Sequence, residues 1–182
     1  MSHMYILRGG PGAGKSYYAG QLMTFSDTPL IVCSADEFFM DADGVYRFDP
    51  AWLGRAHGAC LKKAVLAMVE RQNIIVDNTN AGPDEMLPYL ALCQAFGYAC
   101  EVIKVLCDRE VAWGRQSHDV PRKKFDEIHS TIEQSRVPKI YRGAPWLTER
   151  EVGRPSCNCG KGMGIRPDHE AECASAYIRH KK

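Results

Sequence analysis

The chemistry of this sequence is concentrated first in Gly9-Gly10-Pro11-Gly12-Ala13-Gly14-Lys15-Ser16, which matches the pattern G-x-x-x-x-G-K-[ST]. Glycines at this density let a backbone curl so that successive N–H groups point at phosphate oxygens. A helix starting at Lys15 would add the positive end of its dipole. In that setting Lys15 reaches the β- and γ-phosphates of a nucleotide, and the Ser16 hydroxyl is placed to ligate Mg²⁺. A plain Gly/Pro turn would share the composition. The motif, however, follows an apolar run, Tyr5-Ile6-Leu7, and precedes a helix-like stretch, which is the context phosphate binding needs.

A phosphate cradle alone does not separate a kinase from a GTPase, a motor or a switch. A small phosphotransferase needs three further parts: a base for the acceptor hydroxyl, an acid on the metal side and a cationic lid. Asp36 and Glu37 follow the second apolar run, residues 29–33, and Asp36 is the candidate base; a helix N-cap or a solvated acidic loop is the competing reading. Asp77 closes a third apolar run, Ile74-Ile75-Val76, and is placed like an acid that positions Mg²⁺. Asn78, Thr79 and Asn80 continue along the same rim as candidate substrate contacts or as turn residues. From Arg109 to Arg142 there are eight Lys/Arg against five Asp/Glu. An arginine there could neutralise charge on a transferring phosphoryl group, with Arg115 the first candidate and Arg122 the second. His118 lies in the same turn-rich stretch. No N-K-x-D guanine reader is present.

These groups must be positioned by something, and the periodicity names it. Apolar runs at 5–7, 29–33, 73–77 and 101–106 read as strands. Between them, residues 15–23, 52–68, 83–97, 109–116 and 123–134 read as helices, with Pro88 expected to delay or kink the third and Gly97 to end it. Strands alternating with helices predict an α/β fold with a mostly parallel sheet and right-handed crossovers. The 182 residues are 45% hydrophobic and 25% charged, proportions that suit one compact domain rather than a disordered chain. No apolar run approaches the roughly 20 residues of a membrane span, and no cleavable signal pattern opens the sequence. With 23 Lys/Arg and 22 Asp/Glu, bulk charge does not announce a nucleic-acid partner.

Four segments together, L-R-G-G-P-G-A-G-K-S, S-A-D-E-F-F, I-I-V-D-N-T-N and R-Q-S-H-D-V-P, resemble the polynucleotide-kinase-like P-loop proteins over about residues 4–140. That family includes phage and bacterial 5′-OH polynucleotide kinases and phage kinases of 5-hydroxymethyluracil in DNA. The resemblance implies an adenylate-kinase-like core, ATP and Mg²⁺ as cofactors, Asp36 as general base, Lys15 and Ser16 as phosphate and metal contacts, and Arg115 as the lid arginine. It departs at one position: the phage end-kinase has an arginine three residues after its base, where this chain has Phe39. Phe38 and Phe39 beside the base would suit an acceptor carried on a flipped pyrimidine, although either ring could instead belong to the core. The expectation is therefore a kinase acting on a hydroxyl of nucleic acid, DNA favoured, leaning to the hydroxymethyl group of 5-hydroxymethyluracil over the 5′-OH end. A nucleoside or sugar kinase and a non-catalytic ATP-dependent switch are the rival classes. Neither a membrane nor an obligate protein partner is expected, and a cytoplasmic location is.

Residues 4–141 are assigned to this kinase domain. From residue 142 to 182, Gly, Pro, Cys and His replace periodic apolar residues. Cys157, Cys159, His169 and Cys173 provide three thiols and an imidazole at zinc-like spacing, set against unligated cysteines in a polar tail. Cys33, Cys60, Cys93, Cys100 and Cys107 fall in apolar runs and read as small core residues. Protein purified under reducing, chelator-free conditions is expected to carry about one zinc per chain, as four ligands imply. Metal analysis that finds none rejects the zinc assignment.

Overall fold

The computed structural model describes residues 1–116 and 120–153. Five strands, β1 (His3–Arg8), β2 (Leu30–Cys33), β3 (Asn73–Asp77), β4 (Ala99–Leu106) and β5 (Leu147–Gly153), form one sheet in the order β2-β3-β1-β4-β5. All four pairings are parallel. The helices are α1 (Lys15–Phe25), α2 (Leu53–Val69), α3 (Pro83–Phe96), α4 (Arg109–Arg115) and α5 (Arg122–Gln134), with short 3-10 helices at Ala35–Phe39, Pro50–Trp52 and Lys139–Tyr141. This is the expected parallel α/β architecture flanked by helices.

Period-two alternation divides the central strands between two apolar layers. Met4, Ile6, Ile74, Val76 and Val102 join Ala56, Ala64, Met68, Met86 and Leu90 in one core. Leu7, Ile75 and Ile103 face the other way, where Ala19 packs with Tyr18 and Leu22. The buried stripe of α2 is almost entirely small, Ala56, Cys60, Ala64 and Ala67, which brings its backbone close to the sheet. Helix α3 begins at Pro83, with the Glu85 carboxylate accepting from the Ala81 and Gly82 N–H groups, passes through Pro88, and stops at Gly97, whose φ of 68° is left-handed. Pro88 therefore does not delay the helix. Cys33, Cys60, Cys93 and Cys100 are buried in the core as expected, whereas Cys107 is only half-buried and belongs to neither apolar layer.

Strand β5 was not among the expected elements. It lies beyond residue 141, so the sheet runs on past the boundary read from composition. Its sequence, Leu-Thr-Glu-Arg-Glu-Val-Gly, is mostly exposed at the sheet edge and carries no apolar alternation. A charged edge strand resists pairing with other chains, and that same charge makes it read as a loop. Its ladder with β4 is braced by Lys104–Glu151 at 3.1 Å and Arg150–Glu101 at 2.7 Å.

Two contacts set the loop after β1. Arg8, at the end of that strand, is buried, and its guanidinium donates to the carbonyl oxygens of Asn80 (3.0 Å), Ala81 (2.7 Å) and Ser135 (2.9 Å), and to the Ser135 hydroxyl. One planar fork thus joins the ends of β1, β3 and α5. Helices α4 and α5 rest directly on the glycine loop. A Cβ at Gly12 would lie 1.9 Å from the Ala112 carbonyl oxygen, and one at Gly10 only 2.1 Å from His129 Nε2. His129 is buried, stacks on Phe125 with centroids 4.2 Å apart, and donates from Nε2 to the Pro11 carbonyl at 3.3 Å.

Arg8→Ala should destabilise the protein by about 3 kcal/mol in denaturant melts, because several buried acceptors lose their donor. Arg8→Lys should recover little of this, since an ammonium cannot span the fork. Burial pushes the His129 imidazole below its ordinary range, with Arg109 and Lys15 acting in the same direction and the Pro11 carbonyl and Glu133 opposing. The unfolded chain then binds a proton the native state refuses. Stability is accordingly retained above about pH 6.5 and falls as pH drops from there towards the lower native value. His129→Gln should flatten that slope in melts between neutral and mildly acidic pH.

Candidate active site

The strand order brings the ends of β1, β3 and β2 side by side, and each end delivers one part of the site. β1 leads into the glycine loop, β3 ends in Asp77, and β2 leads through Ser34 into the 3-10 helix that carries Asp36. Ligands bind at this carboxyl rim in open α/β sheets.

Lys15 is the first residue of α1, and its Nζ donates to the Gly10 carbonyl at 3.1 Å, across the mouth of the loop. Burial lowers its pKa, while Asp77 and Asp36 both act to raise it, so the ammonium stands in the field of two carboxylates. Asp77 is buried. Desolvation raises its pKa; Lys15 and a hydrogen bond from the Ser16 hydroxyl oppose that rise. Its Oδ1 is buried without a hydrogen-bond partner, the one such side-chain atom among the described residues. A carboxylate held dry, paired on one side with a serine hydroxyl and bare on the other, has the donor set a hard cation takes. Ser16 and Asp77 therefore fit Mg²⁺.

Asp36 is exposed on the 3-10 helix Ala35–Phe39. Its backbone N–H donates to Ser34 Oγ at 3.3 Å, which caps the helix, and Tyr46 Oη donates to Asp36 Oδ1 at 3.0 Å. Burial and the neighbouring carboxylate both push the Tyr46 phenol upward, keeping it a proton donor. The N-cap reading of Asp36 fails here, since Ser34 fills that role. Sequence reasoning did not single out Tyr46. Its place follows from a chain reversal in which Met40 and Tyr46 form an isolated antiparallel bridge.

Two of the expected rim contacts are scaffold instead. Asn78 is buried: its Oδ1 accepts from the Ala35 N–H at 2.9 Å, and its Nδ2 donates to Cys60 Sγ and Tyr89 Oη, both at 3.4 Å. It thus fixes the residue next to Asp36. Asn80, with φ of 44°, donates to the Leu7 carbonyl at 2.6 Å and turns the chain back from β3. Thr79 is half-buried, and its hydroxyl donates to Glu85 Oε2 at 3.1 Å. Their amides serve backbone groups that the strand ends would otherwise leave unsatisfied.

Phe39 is corrected in the same way. It is 6% exposed, packed in the core against Phe38, Tyr46 and Phe48 at centroid distances of 5.5, 6.0 and 5.0 Å. A ring enclosed on these sides cannot stack on a substrate. Phe38, 42% exposed, is the open ring beside Asp36.

Of the two arginines expected to serve a lid, Arg115 ends α4 and is exposed. Arg122 opens α5, but its guanidinium is taken by Glu110 at 2.5 Å and Asp126 at 2.9 Å and lies 5.1 Å from the Trp113 ring centroid. It braces α4 against α5 rather than presenting a free charge. Arg109 similarly pairs with Glu133 at 2.7 Å. His118 and the four tail ligands, Cys157, Cys159, His169 and Cys173, lie outside the described residues. Among the described residues no helix is long and apolar enough to cross a membrane, and no cluster of three or more His, Cys, Asp or Glu could hold a metal.

The chain is similar to known proteins in the part that builds this site. It is 38% identical over 135 residues to human NEDD4-binding protein 2; the match covers 69% of this chain and 7% of that protein, so the chain spans a small part of its relative's length. Its fold is similar to a chain in the structure of the Pnkp1/Rnl/Hen1 RNA repair complex, with a TM-score of 0.62, 17% identity, and coverage of 72% of this chain and 44% of the other. It is also similar to Kti12 of Chaetomium thermophilum, solved with ADP-AlF3, with a TM-score of 0.59, 14% identity, and coverage of 97% and 96%. The AAA domain family model matches residues 4–135, which hold the glycine loop, Asp36, Asp77 and both lid helices. On that match and this geometry the chain belongs to the AAA domain family, as a P-loop domain of kinase-like fold.

Proposed function

We propose that the protein is an ATP- and Mg²⁺-dependent kinase whose acceptor is a hydroxyl group of nucleic acid. The observation that carries this reading is the trio at the rim: Lys15 in the field of a buried, half-paired Asp77 and of an exposed Asp36 that Tyr46 orients. A binding switch has use for the first two residues but not for a base aimed outward beside them.

The chain's own groups divide the work. The glycine loop and Lys15 hold the β- and γ-phosphates, and Ser16 and Asp77 hold the metal. Mg²⁺, when bound, neutralises charge on those phosphate oxygens. Asp36, fixed by Tyr46 and by the Ser34 cap, takes the proton of the acceptor hydroxyl as its oxygen bonds to the γ-phosphorus and the bond from that phosphorus to the β-γ bridging oxygen breaks, releasing ADP. Arg115 stabilises charge on the group in transit.

Within this class we favour the hydroxymethyl group of 5-hydroxymethyluracil in DNA. An acceptor at a 5′ end carries a phosphate one nucleotide away that calls for a cation near the base. Here the position three after Asp36 is a core phenylalanine, and Lys63, the neighbouring cation, is held by Glu37 at 2.7 Å. That arrangement suits a neutral carrier of the hydroxyl. The likeness of the fold to a chain of an RNA repair complex makes RNA the second acceptor to test.

Asp36→Asn should lower phosphoryl transfer by roughly 10²- to 10⁴-fold while ATP binding, measured by calorimetry, stays close to wild type. The acceptor is identified with labelled ATP and a panel of hydroxymethyluracil DNA, plain DNA with 5′-OH ends, RNA and free nucleosides. Transfer that survives in Asp36→Asn removes it as the base, and transfer confined to free nucleosides replaces the nucleic-acid reading with a small-molecule kinase.

A further inference from the structure

Beside Asp36 lies a groove of about 270 Å³ between the 3-10 helix Ala35–Phe39 and α2, lined by Ser34, Glu37, Phe38, Ala59, Cys60 and Lys63. Apart from Ser34, which caps the helix that carries Asp36, none of these side chains has a role in the phosphate chemistry described above. The volume lies at the small end of the range for ligand sites, room for a single ring system rather than a base pair.

Its walls are of two kinds. Phe38 presents an exposed aromatic ring, held from behind by edge-on contact with the buried Phe39. Across from it, Lys63 Nζ donates to both Glu37 oxygens, at 2.9 and 2.7 Å. The pair has no net charge, and it sets a cationic donor directly beside an anionic acceptor. A phosphate gains little from a cation already neutralised. A flat neutral heterocycle, with donors and acceptors along one edge and a π face, matches both walls.

The surroundings select the same way. Of the large apolar side chains left exposed, Phe38, Met40, Val45, Phe48, Trp52 and Leu53 all fall between residues 38 and 53, the stretch that runs from the groove's aromatic wall to the start of α2. Trp52 immediately precedes α2, and Arg55 lies over its ring at 4.4 Å. The same segment carries Asp41, Asp43 and Asp49 against Arg47 and Arg55, and Arg47 is itself held by Asp41 at 2.7 Å. Aromatic faces with an acidic balance favour bases and disfavour backbone phosphates.

We propose that this groove is a subsite for one unpaired nucleobase of the acceptor, its face on Phe38 and its edge on the Glu37–Lys63 pair. The proposal rests on the reading of the protein as a nucleic-acid kinase and adds that the acceptor nucleotide enters out of its duplex. A base stacked and paired within a helix offers neither a free face nor a free edge, so it must be single-stranded or extruded to enter.

The test uses the full chain and a single-stranded heptanucleotide with a central 2-aminopurine, whose fluorescence reports stacking without requiring turnover. A matched strand with hydroxymethyluracil at the same position reports transfer. Wild type should quench the probe strand and ignore it once annealed to its complement. Phe38→Ala should weaken strand binding by about tenfold, in line with the loss of one base-aromatic stack, and Phe38→Trp should restore it. ATP affinity should be equal in all three proteins, which also shows that the variants are folded. Equal binding of the strand by wild type and Phe38→Ala, or equal binding of the duplex, overturns the subsite even where transfer occurs. Quenching that depends on Phe38 without transfer to any strand supports the subsite and rejects the kinase reading instead.

Discussion

One lysine in the electrostatic field of two carboxylates organises this molecule. Lys15 needs its charge to grip phosphate, yet burial works against that charge. Asp77 needs to be ionised to hold a metal, and burial works against that charge too. Each opposes the other's loss of charge, while Asp36 supports the charge of Lys15 and works against that of Asp77. Such an arrangement holds only if the three chain ends that deliver it cannot drift, because a short shift would leave a buried charge alone. Much of the surrounding hydrogen bonding serves that end. Arg8 ties the ends of β1, β3 and α5 together, Asn78 ties β3 to the residue before Asp36, and Asn80 ties the turn after β3 back to β1.

The lid is built with a different logic. Its charges are largely spent on itself: Arg122 and Arg109 bind carboxylates of α4 and α5, and Trp113 packs edge-on against Phe125. This makes α4 and α5 a braced pair whose inner ends sit on the glycine loop through Ala112 and His129. Position along the chain separates the arginine that closes the helix, Arg115, from the one that holds it together.

The parts legible in the sequence were those with a strong local signal. The glycine loop, four apolar strands and five helices all follow from spacing and from Gly and Pro, and they locate Lys15, Ser16, Asp36 and Asp77 at one rim. What could not be read is which way a side chain turns. Phe38 and Phe39 are adjacent and identical, and only the packing of Tyr46 and Phe48 decides that the second is core. Asn78 and Asn80 have a composition that suits substrate contact as well as they suit a turn; the unsatisfied backbone of neighbouring strand ends claimed them. Strand β5 was hidden because an exposed edge carries charge where a central strand carries valine. Arg8 did leave a signal, a cation directly after a buried strand, whose meaning depends on carbonyl groups 72 and more residues away.

The sheet order has a consequence for how the chain reaches this state. Its central strand, β1, is also the first to be made, and it pairs with no neighbour in sequence: Met4 lies opposite Ile74 on one side and Cys100 on the other. Until β3 and then β4 have left the ribosome, the central strand of the sheet has both edges open. Parallel sheets with such distant partners fold slowly and spend longer exposed to aggregation. The arrangement that gathers three strand ends into one site thus also lengthens the time for which the strand leading into the glycine loop stays unpaired.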